Sequence, residues 1–471
     1  MLGLMLFTLP RAYGGCGVIS MSEYSQKSTK ITNFYQLSDE TDVLDELIRH
    51  SRWKKPVLVI PALASEFTHP ENRPVFENIL RELKGATYLN DIIIGLDAAT
   101  QEDVNLLQEI IADIGLDNVL IQWNDGPYFG QLYELLESAG IDLSQRGKGR
   151  NVFMSFGVAI VLSATSVGLL DADIKTFRRV QLDRLFLPVQ AFNYQFAKAY
   201  YARSDGRQFF GRVKRLLVDP LLIALKRKFT DTGEEKMLRI IDFLLLFNYQ
   251  LSGEVVIDIE LLQRMKYTLN WGVEILTLIE AYRKANQIAQ VEFARGYFDH
   301  KHQKISVADP NKGLHKMSTD IIATLLNALV VEEGLEISSY FFRDLTLTYQ
   351  SVAEDLIRKY AENAKLNGLH YDRDREEEFV NEVLTDAIIN VGELLDVPQN
   401  ISGMILRYTA MNPEFDKFNS LGLQKAIMDT EKRLKQEYRS ARDLPSWERI
   451  EEKIPGIRDQ IIDVIEETKK F

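Results

Sequence analysis

Between Lys54 and Asp173 the chain alternates short apolar runs with amphipathic stretches, and this rhythm constrains the fold more than any other feature of the sequence. Val57-Leu58-Val59-Ile60-Pro61 reads as a buried strand, Glu71 to Leu83 as an amphipathic helix, Asp91-Ile92-Ile93-Ile94-Gly95-Leu96-Asp97 as a second strand and Gln101 to Ile114 as a second helix. Asn118-Val119-Leu120-Ile121-Gln122 follows as a third strand, then a helix from about Tyr128, then a helix from Asn151 to Leu162 that runs into the apolar stretch Ser166 to Leu170. Strands that are apolar throughout and separated by helices imply an α/β domain whose mostly parallel sheet is covered on both faces. Ligands of such sheets bind at the carboxyl ends of the strands.

The polar residues near those ends are therefore the candidates for chemistry. The run Ser166-Val167-Gly168-Leu169-Leu170 stops at Asp171-Ala172-Asp173, two carboxylates lifted out of the end of a strand. Mg²⁺ favours a small number of carboxylates and fills its other positions with water and phosphate oxygens, so the pair suits a metal-diphosphate site; it equally suits a turn or a helix cap. Pro61-Ala62-Leu63-Ala64-Ser65-Glu66 and Leu96-Asp97-Ala98-Ala99-Thr100 fall near two other strand ends. Gly147-Lys148-Gly149-Arg150 reads either as a phosphate cradle or as a solvated basic turn, and its spacing excludes a P-loop.

Further on, Gly211-Arg212-Val213-Lys214-Arg215 opens a helix, where free backbone N–H groups and cations together suit a small anion; a surface helix start is the plain alternative. Gln250-Leu251-Ser252-Gly253-Glu254 reads as a turn. In Asn270-Trp271-Gly272-Val273-Glu274-Ile275 an acid enters an apolar helix start, and it needs a backbone donor or a ligand as partner. Gln290-Val291-Glu292-Phe293 with Gly296-Tyr297-Phe298 reads as a strand ending in Asp299-His300-Lys301-His302, where a histidine beside carboxylates can complete a metal site.

Composition narrows the class. The 471 residues, 46% of them hydrophobic, can bury a large core and exceed one ordinary domain. A net charge of −12 argues against a nucleic-acid partner, and the lone cysteine, Cys16, excludes a disulfide framework and fits a cytoplasmic location. The opening Met1-Leu2-Gly3-Leu4-Met5-Leu6-Phe7 lacks a preceding basic residue and is too short to span a bilayer; Met21 is an alternative start. No other stretch reads as a transmembrane helix, so no membrane partner is expected. Beyond Pro310 the chain reads as helical and charged, with helices near Asp320 to Leu326, Val352 to Ala364, Arg375 to Leu395 and Gln424 to Tyr438 and breaks at Gly368, Pro398, Pro413 and Pro445. Asp372-Arg373-Asp374-Arg375-Glu376-Glu377-Glu378 is expected to be a solvated helix start. The expected division is 1–50 as leader and N-terminal helix, 51–305 as the catalytic domain, and 306–471 as a helical region that covers it or builds a homodimer interface.

Taken in order, Pro61-Ala62-Leu63, Gly147-Lys148-Gly149, Asp171-Ala172-Asp173, Gly211-Arg212-Val213 with Pro220-Leu221-Leu222, Leu251-Ser252-Gly253-Glu254, Gly272-Val273-Glu274-Ile275 and Asp299-His300-Lys301 resemble the glucosyl-3-phosphoglycerate synthases, retaining glycosyltransferases of GT-A fold. The resemblance covers about Val57 to Gln303 and rests on the order and spacing of the motifs.

That resemblance implies a metal-dependent hexosyltransferase, with Mg²⁺ or Mn²⁺ as cofactor, that takes a nucleotide-diphosphate sugar and 3-phosphoglycerate. Pro61, Ala62, Leu63, Glu66 and Asp97 would take the nucleotide, and Lys148 would approach the donor phosphates. Asp171, Ala172 and Asp173 would bracket ribose and metal, with Asp173 and His300 as the protein ligands. Glu274 would hold sugar hydroxyls beside Trp271, and Leu251 would place its carbonyl near the sugar C1. Gly211, Arg212, Val213, Lys214 and His302 would bind the acceptor. Retention without an evident carboxylate nucleophile implies attack on the face the diphosphate leaves; a double displacement through Glu254 or Glu274 is the less favoured route.

Four positions depart from the family. Ala64 and Ser65 stand where Asn and Glu are usual, Lys214 replaces a hydroxyl residue, and His302 replaces an Asn. A mannosyl donor, a glycerate acceptor and a non-catalytic sugar-nucleotide binder are the competing expectations.

Overall fold

The computed structural model describes residues 26, 28–38, 43–300, 313–392 and 443–468. Its strands are β1 (Ile31–Phe34), β2 (Pro56–Leu63), β3 (Asp91–Asp97), β4 (Val119–Trp123), β5 (Ser166–Leu169), β6 (Phe196–Tyr200), β7 (Val255–Asp258), β8 (Tyr267–Thr268), β9 (Ile288–Glu292) and β10 (Asp443–Leu444). Eight of them form one sheet in the order β1-β9-β6-β7-β5-β2-β3-β4, and β10 pairs with β8 beside it. Within the sheet β7 runs antiparallel to both neighbours and every other pairing is parallel. The mostly parallel sheet expected of a GT-A domain is present, followed by a helical C-terminal region.

Alternation along β2 shows how the sheet becomes the core. Val57 and Val59 join the apolar cluster on one face, with the helices Lys148–Val161 and Asp219–Thr232. Leu58 and Ile60 join the cluster on the other, with the helices Arg73–Leu83, Gln101–Ile114 and Arg179–Ala191. Both faces are covered, so both positions of the strand period are apolar. Pro61 is tolerated in this interior strand for a reason that can be traced. Val59 O accepts from Leu170 N, so the odd positions of β2 point toward β5, and β5 has ended before it could pair with Pro61.

The helical region joins the same core. Leu345, Tyr349, Leu384, Trp447 and Ile461 belong to the cluster that contains Val57 and Val59. Trp447 stacks on Phe153 with ring centroids 4.8 Å apart and donates from its indole N–H to Phe153 O at 3.1 Å. The helix Gly313–Glu333 is long and apolar enough to cross a membrane, and 61% of its most apolar window is buried inside the protein.

Several expected boundaries move. The first helix of the alternation starts at Arg73 rather than Glu71, with Pro74 in its first turn. The helix expected from Asn151 begins at Lys148, because Gly147 adopts φ +152 and ψ −178, a conformation essentially reserved for glycine, and turns the chain into it. The strand expected to run to Asp299 ends at Glu292, where its neighbour β6 ends at Tyr200. Gly211-Arg212 leads first into a π-helical turn, Val213–Val218, and then into the helix Asp219–Thr232. β1, in the segment expected to be leader and helix, is an edge strand of the sheet alongside β9. Cys16, the apolar opening run and the helix expected at 424–438 lie outside the described residues.

Candidate active site

The direction of β7 builds the site. β2, β3 and β5 are parallel and end on one edge of the sheet; an antiparallel neighbour must start from that same edge. The turn that precedes β7, Leu251 to Glu254, is thereby delivered beside the residues that follow β5. Leu169 pairs with Val255, and two residues beyond each partner Asp171 comes so close to Gly253 that a Cβ there would run into its carboxylate. β6 also ends on this edge, where Tyr201 donates its hydroxyl to Glu254 Oε2 at 2.7 Å.

His300 reaches the same place by backbone pairing. Ile174 and His300 form an isolated antiparallel bridge, and Lys175 N donates to Asp299 O at 3.0 Å. The imidazole Nδ1 then lies 3.5 Å from Asp173 Oδ1, with the ring against Phe298 and Tyr201. Ligand atoms of Asp171, Glu254 and His300 all lie within 4.8 Å of one another. Among the described residues Glu254 Oε1 and His300 Nε2 are buried without a hydrogen-bond partner. An orphaned carboxylate oxygen of Glu254 and an orphaned imidazole nitrogen of His300, converging with the Asp171 carboxylate, fit a divalent cation such as Mg²⁺ or Mn²⁺.

Lys148 is the cationic counterpart. It heads the helix Lys148–Val161, and its Nζ donates to Asp171 Oδ1 at 2.6 Å and to Glu274 Oε1 at 3.1 Å. Burial disfavours its charge, but the Asp171 and Glu274 carboxylates outweigh burial and hold its pKa above the ordinary lysine value. Glu274, whose need for a partner was evident in the sequence, finds it here in the first turn of the helix Val273–Lys284. Burial and the Asp171 charge raise the Glu254 pKa. Burial would raise that of Asp173 too, but the adjacent imidazole of His300 lowers it.

The other expected donor residues line the same edge. Pro61, Ala62 and Leu63 form the end of β2, Leu63 pairs with Asp97 at the end of β3, and Ala64 N donates to Asp97 O at 3.1 Å. Asp97 accepts from Asn151 Nδ2 at 2.8 Å, and burial raises its pKa. Glu66 is buried in the short helix Ser65–Thr68. Ala172 is buried between the two acids, and Trp271 is half-buried, with its backbone N–H donating to Asp320 Oδ2 at 3.4 Å.

On the acceptor side, Gly211, Arg212, Val213 and Lys214 form the entry to the π-helical turn. Arg212 Nε donates to Glu376 Oε1 at 3.0 Å and Lys214 Nζ to Asp219 Oδ2 at 2.6 Å. Asp372 to Glu378, expected to be a solvated helix start, includes this buried Glu376. His302 lies outside the described residues.

Two participants were not singled out from sequence. Lys198 sits inside β6, fully buried, and its Nζ donates to Ser252 O at 2.7 Å, bracing the Leu251 to Glu254 turn from beneath. Burial pushes its pKa down to about 8 against the pull of Glu274 and Glu254. A lysine in the otherwise apolar run Phe196-Ala197-Lys198-Ala199-Tyr200 was the available signal. Tyr201, which orders Glu254, gave none.

No protein-family model matches the chain. Among solved structures, the glucosyl-3-phosphoglycerate synthase of Mycobacterium tuberculosis in complex with Mn²⁺, uridine diphosphate and glucosyl-3-phosphoglycerate aligns at 20% identity with a TM-score of 0.45, over 65% of this chain and 89% of that one. Sequence comparison is more telling. The glucosyl-3-phosphoglycerate synthase of Persephonella marina is 37% identical over 375 residues, 78% of this chain and 89% of that protein. That of Methanococcoides burtonii is 33% identical over 359 residues, 74% of this chain and 85% of that protein. With identity of this order across most of both relatives, the chain belongs to the glucosyl-3-phosphoglycerate synthase family.

Proposed function

We propose that this chain is a metal-dependent retaining glycosyltransferase that moves glucose from a nucleoside-diphosphate glucose to the 2-hydroxyl of 3-phosphoglycerate, giving glucosyl-3-phosphoglycerate. The observation that carries the reading is the convergence of Asp171, Glu254 and His300, with ligand atoms within 4.8 Å, at the strand ends where donor residues are expected. The curated relatives bear the name of this activity.

Asp173 and His300, with Asp171 and Glu254 alongside, would hold Mg²⁺ or Mn²⁺, which supplies Lewis-acid neutralisation of a diphosphate. Lys148, bonded to Asp171 and Glu274, would stabilise the leaving diphosphate as its negative charge develops. Glu274, anchored by Lys148, presents its carboxylate to sugar hydroxyls beside Trp271. The Leu251 carbonyl faces the positive charge that grows at the sugar C1. Arg212 and the backbone of Gly211 and Val213 orient the acceptor through its anionic groups, with Lys214 adding charge.

In the transfer the bond from acceptor O2 to C1 forms while the bond from C1 to the diphosphate oxygen breaks. The acceptor hydroxyl proton passes to that departing oxygen. Of the carboxylates a double displacement would use, Glu274 is held by Lys148, and Glu254 accepts from Tyr201 and belongs to the proposed cation cluster, which supports attack from the leaving face.

The enzyme works in the cytoplasm as a homodimer, with 51–305 as the catalytic unit. The single cysteine supports the first, and exposed Val331, Tyr340, Leu347 and Leu366 on the helical region support the second. The test is release of nucleoside diphosphate from UDP-glucose, dependent on both 3-phosphoglycerate and a divalent cation. Donor binding with no turnover on any glyceric acid overturns the enzymatic reading.

A further inference from the structure

Glu376 is an unusual carboxylate for a helix start so rich in charge. It lies on the helix Arg373–Phe379, its side chain is only 6% exposed, and it reaches across to the loop that follows β6. Arg212 Nε donates to its Oε1 at 3.0 Å, and Arg215 Nη1 lies 3.3 Å from its Oε2. One acid therefore aligns two guanidinium groups. Arg215 is pinned from other directions, its Nε donating to Phe210 O at 3.0 Å and its guanidinium lying 5.0 Å from the Tyr360 ring centroid. Arg212 differs. Its Nε edge is held, and the rest of its fork carries the N–H donors suited to a bidentate oxyanion.

The surrounding backbone is tied to the same helical region. His370 N donates to Arg207 O at 2.7 Å, and Tyr349 OH donates to Leu216 O at 2.7 Å. The loop bearing Arg212 is thus braced by residues far along the chain, in a region whose described residues contribute no ligand to the cluster of Asp171, Glu254 and His300.

We propose that Glu376 is a positioning residue for the acceptor: it fixes Arg212 before the acceptor arrives, and so makes the helical region part of acceptor recognition. This rests on the reading that Arg212 binds the anionic groups of 3-phosphoglycerate. An unheld arginine loses side-chain freedom on gripping a ligand, and that loss weakens binding; Glu376 imposes the ordering during folding instead.

Glu376→Asp separates position from charge, since it keeps the carboxylate but withdraws it by one methylene. The KM for 3-phosphoglycerate should rise about fivefold to tenfold, while kcat and the KM for UDP-glucose stay within about twofold and the melting temperature is held. Glu376→Asp combined with Arg212→Lys should cost less than the two single effects summed, because both act through one contact. An unchanged acceptor KM overturns the proposal, and so does a parallel loss in both substrates with a lowered melting temperature, which marks a merely structural role. Arg212→Ala distinguishes the two levels. If Arg212→Ala raises the acceptor KM and Glu376→Asp does not, this proposal alone fails; if Arg212→Ala leaves the acceptor KM unchanged, the acceptor assignment fails and this proposal with it.

Discussion

His300 Nδ1 lies 3.5 Å from Asp173 Oδ1, two side chains from distant parts of the chain held together by the backbone bridge of Ile174 with His300. Around them Asp171, partly exposed, and Glu254, fully buried, bring further negative charge. Like charges at such separation repel unless a cation or a proton intervenes. His300→Ala and Glu254→Gln are each expected to weaken Mn²⁺ binding by at least about tenfold. Isothermal titration with Mn²⁺ alone, without substrates, measures this directly. Binding unchanged in both variants would place the cation elsewhere.

Lys148 bridges Asp171 and Glu274, and its removal leaves both acids without their cation. Lys148→Met should lower kcat by about 10² to 10³, the range seen when a group that stabilises developing charge is deleted. Steady-state kinetics at saturating UDP-glucose gives the number. A loss confined to the donor KM would make Lys148 a binding group only.

Lys198 makes stability depend on pH in a definite direction. Its folded pKa of about 8 lies below the ordinary lysine value of 10.5, so between these pH values the unfolded chain holds more protons than the folded one. Stability therefore rises with pH across that window on account of this group, as the penalty of burying its charge is relieved. Below about pH 8 both states are protonated and the penalty is constant. Lys198→Met removes this titration, so the stability of the wild type relative to the variant should increase by roughly 3 kcal/mol from pH 8 to pH 10.5. Urea unfolding of both proteins at several pH values in that range checks the slope, and a difference that stays flat or falls contradicts it.

Trp447 fastens the C-terminal helices Trp447–Lys453 and Ile457–Thr468 to the helix that carries Lys148. Its ring lies so close to Gly157 that a Cβ at that position would overlap it. Trp447→Ala should cost about 3 to 5 kcal/mol, the usual range for emptying a buried indole site. The shift in urea midpoint, multiplied by the slope of the unfolding line, measures the loss. A cost under about 1 kcal/mol would mean that the C-terminal helices are not held through this residue.

What the sequence disclosed followed from periodicity and from order. β2, β3 and β4 were legible because they are apolar on both faces, and the helices between them because their apolar positions recur at helical spacing. β1, β6 and β7 were not: β1 carries Thr32 and Asn33, β6 carries Lys198 where an apolar residue is the norm, and β7 has only Val255-Val256-Ile257 before Asp258. Since β7 is the one antiparallel strand of the sheet, missing it concealed why Glu254 arrives beside Asp171. The motifs that resembled a known family named Asp171, Asp173, Lys148, Glu274 and His300, and the fold gathers these on one edge. Glu376 could not be foreseen. A glutamate among so many charges looks solvated, and only the tertiary packing of its helix against the loop after β6 reveals that it is buried between two arginines.

The most direct test of the account is the anomeric configuration of the product, read by proton NMR after incubation of UDP-glucose with 3-phosphoglycerate and Mg²⁺. An α-linked glucosyl-3-phosphoglycerate is the expected result, since UDP-glucose is α-configured and attack is on the face the diphosphate leaves. A β-linked product, or free glucose formed at the same rate with and without the acceptor, would contradict it.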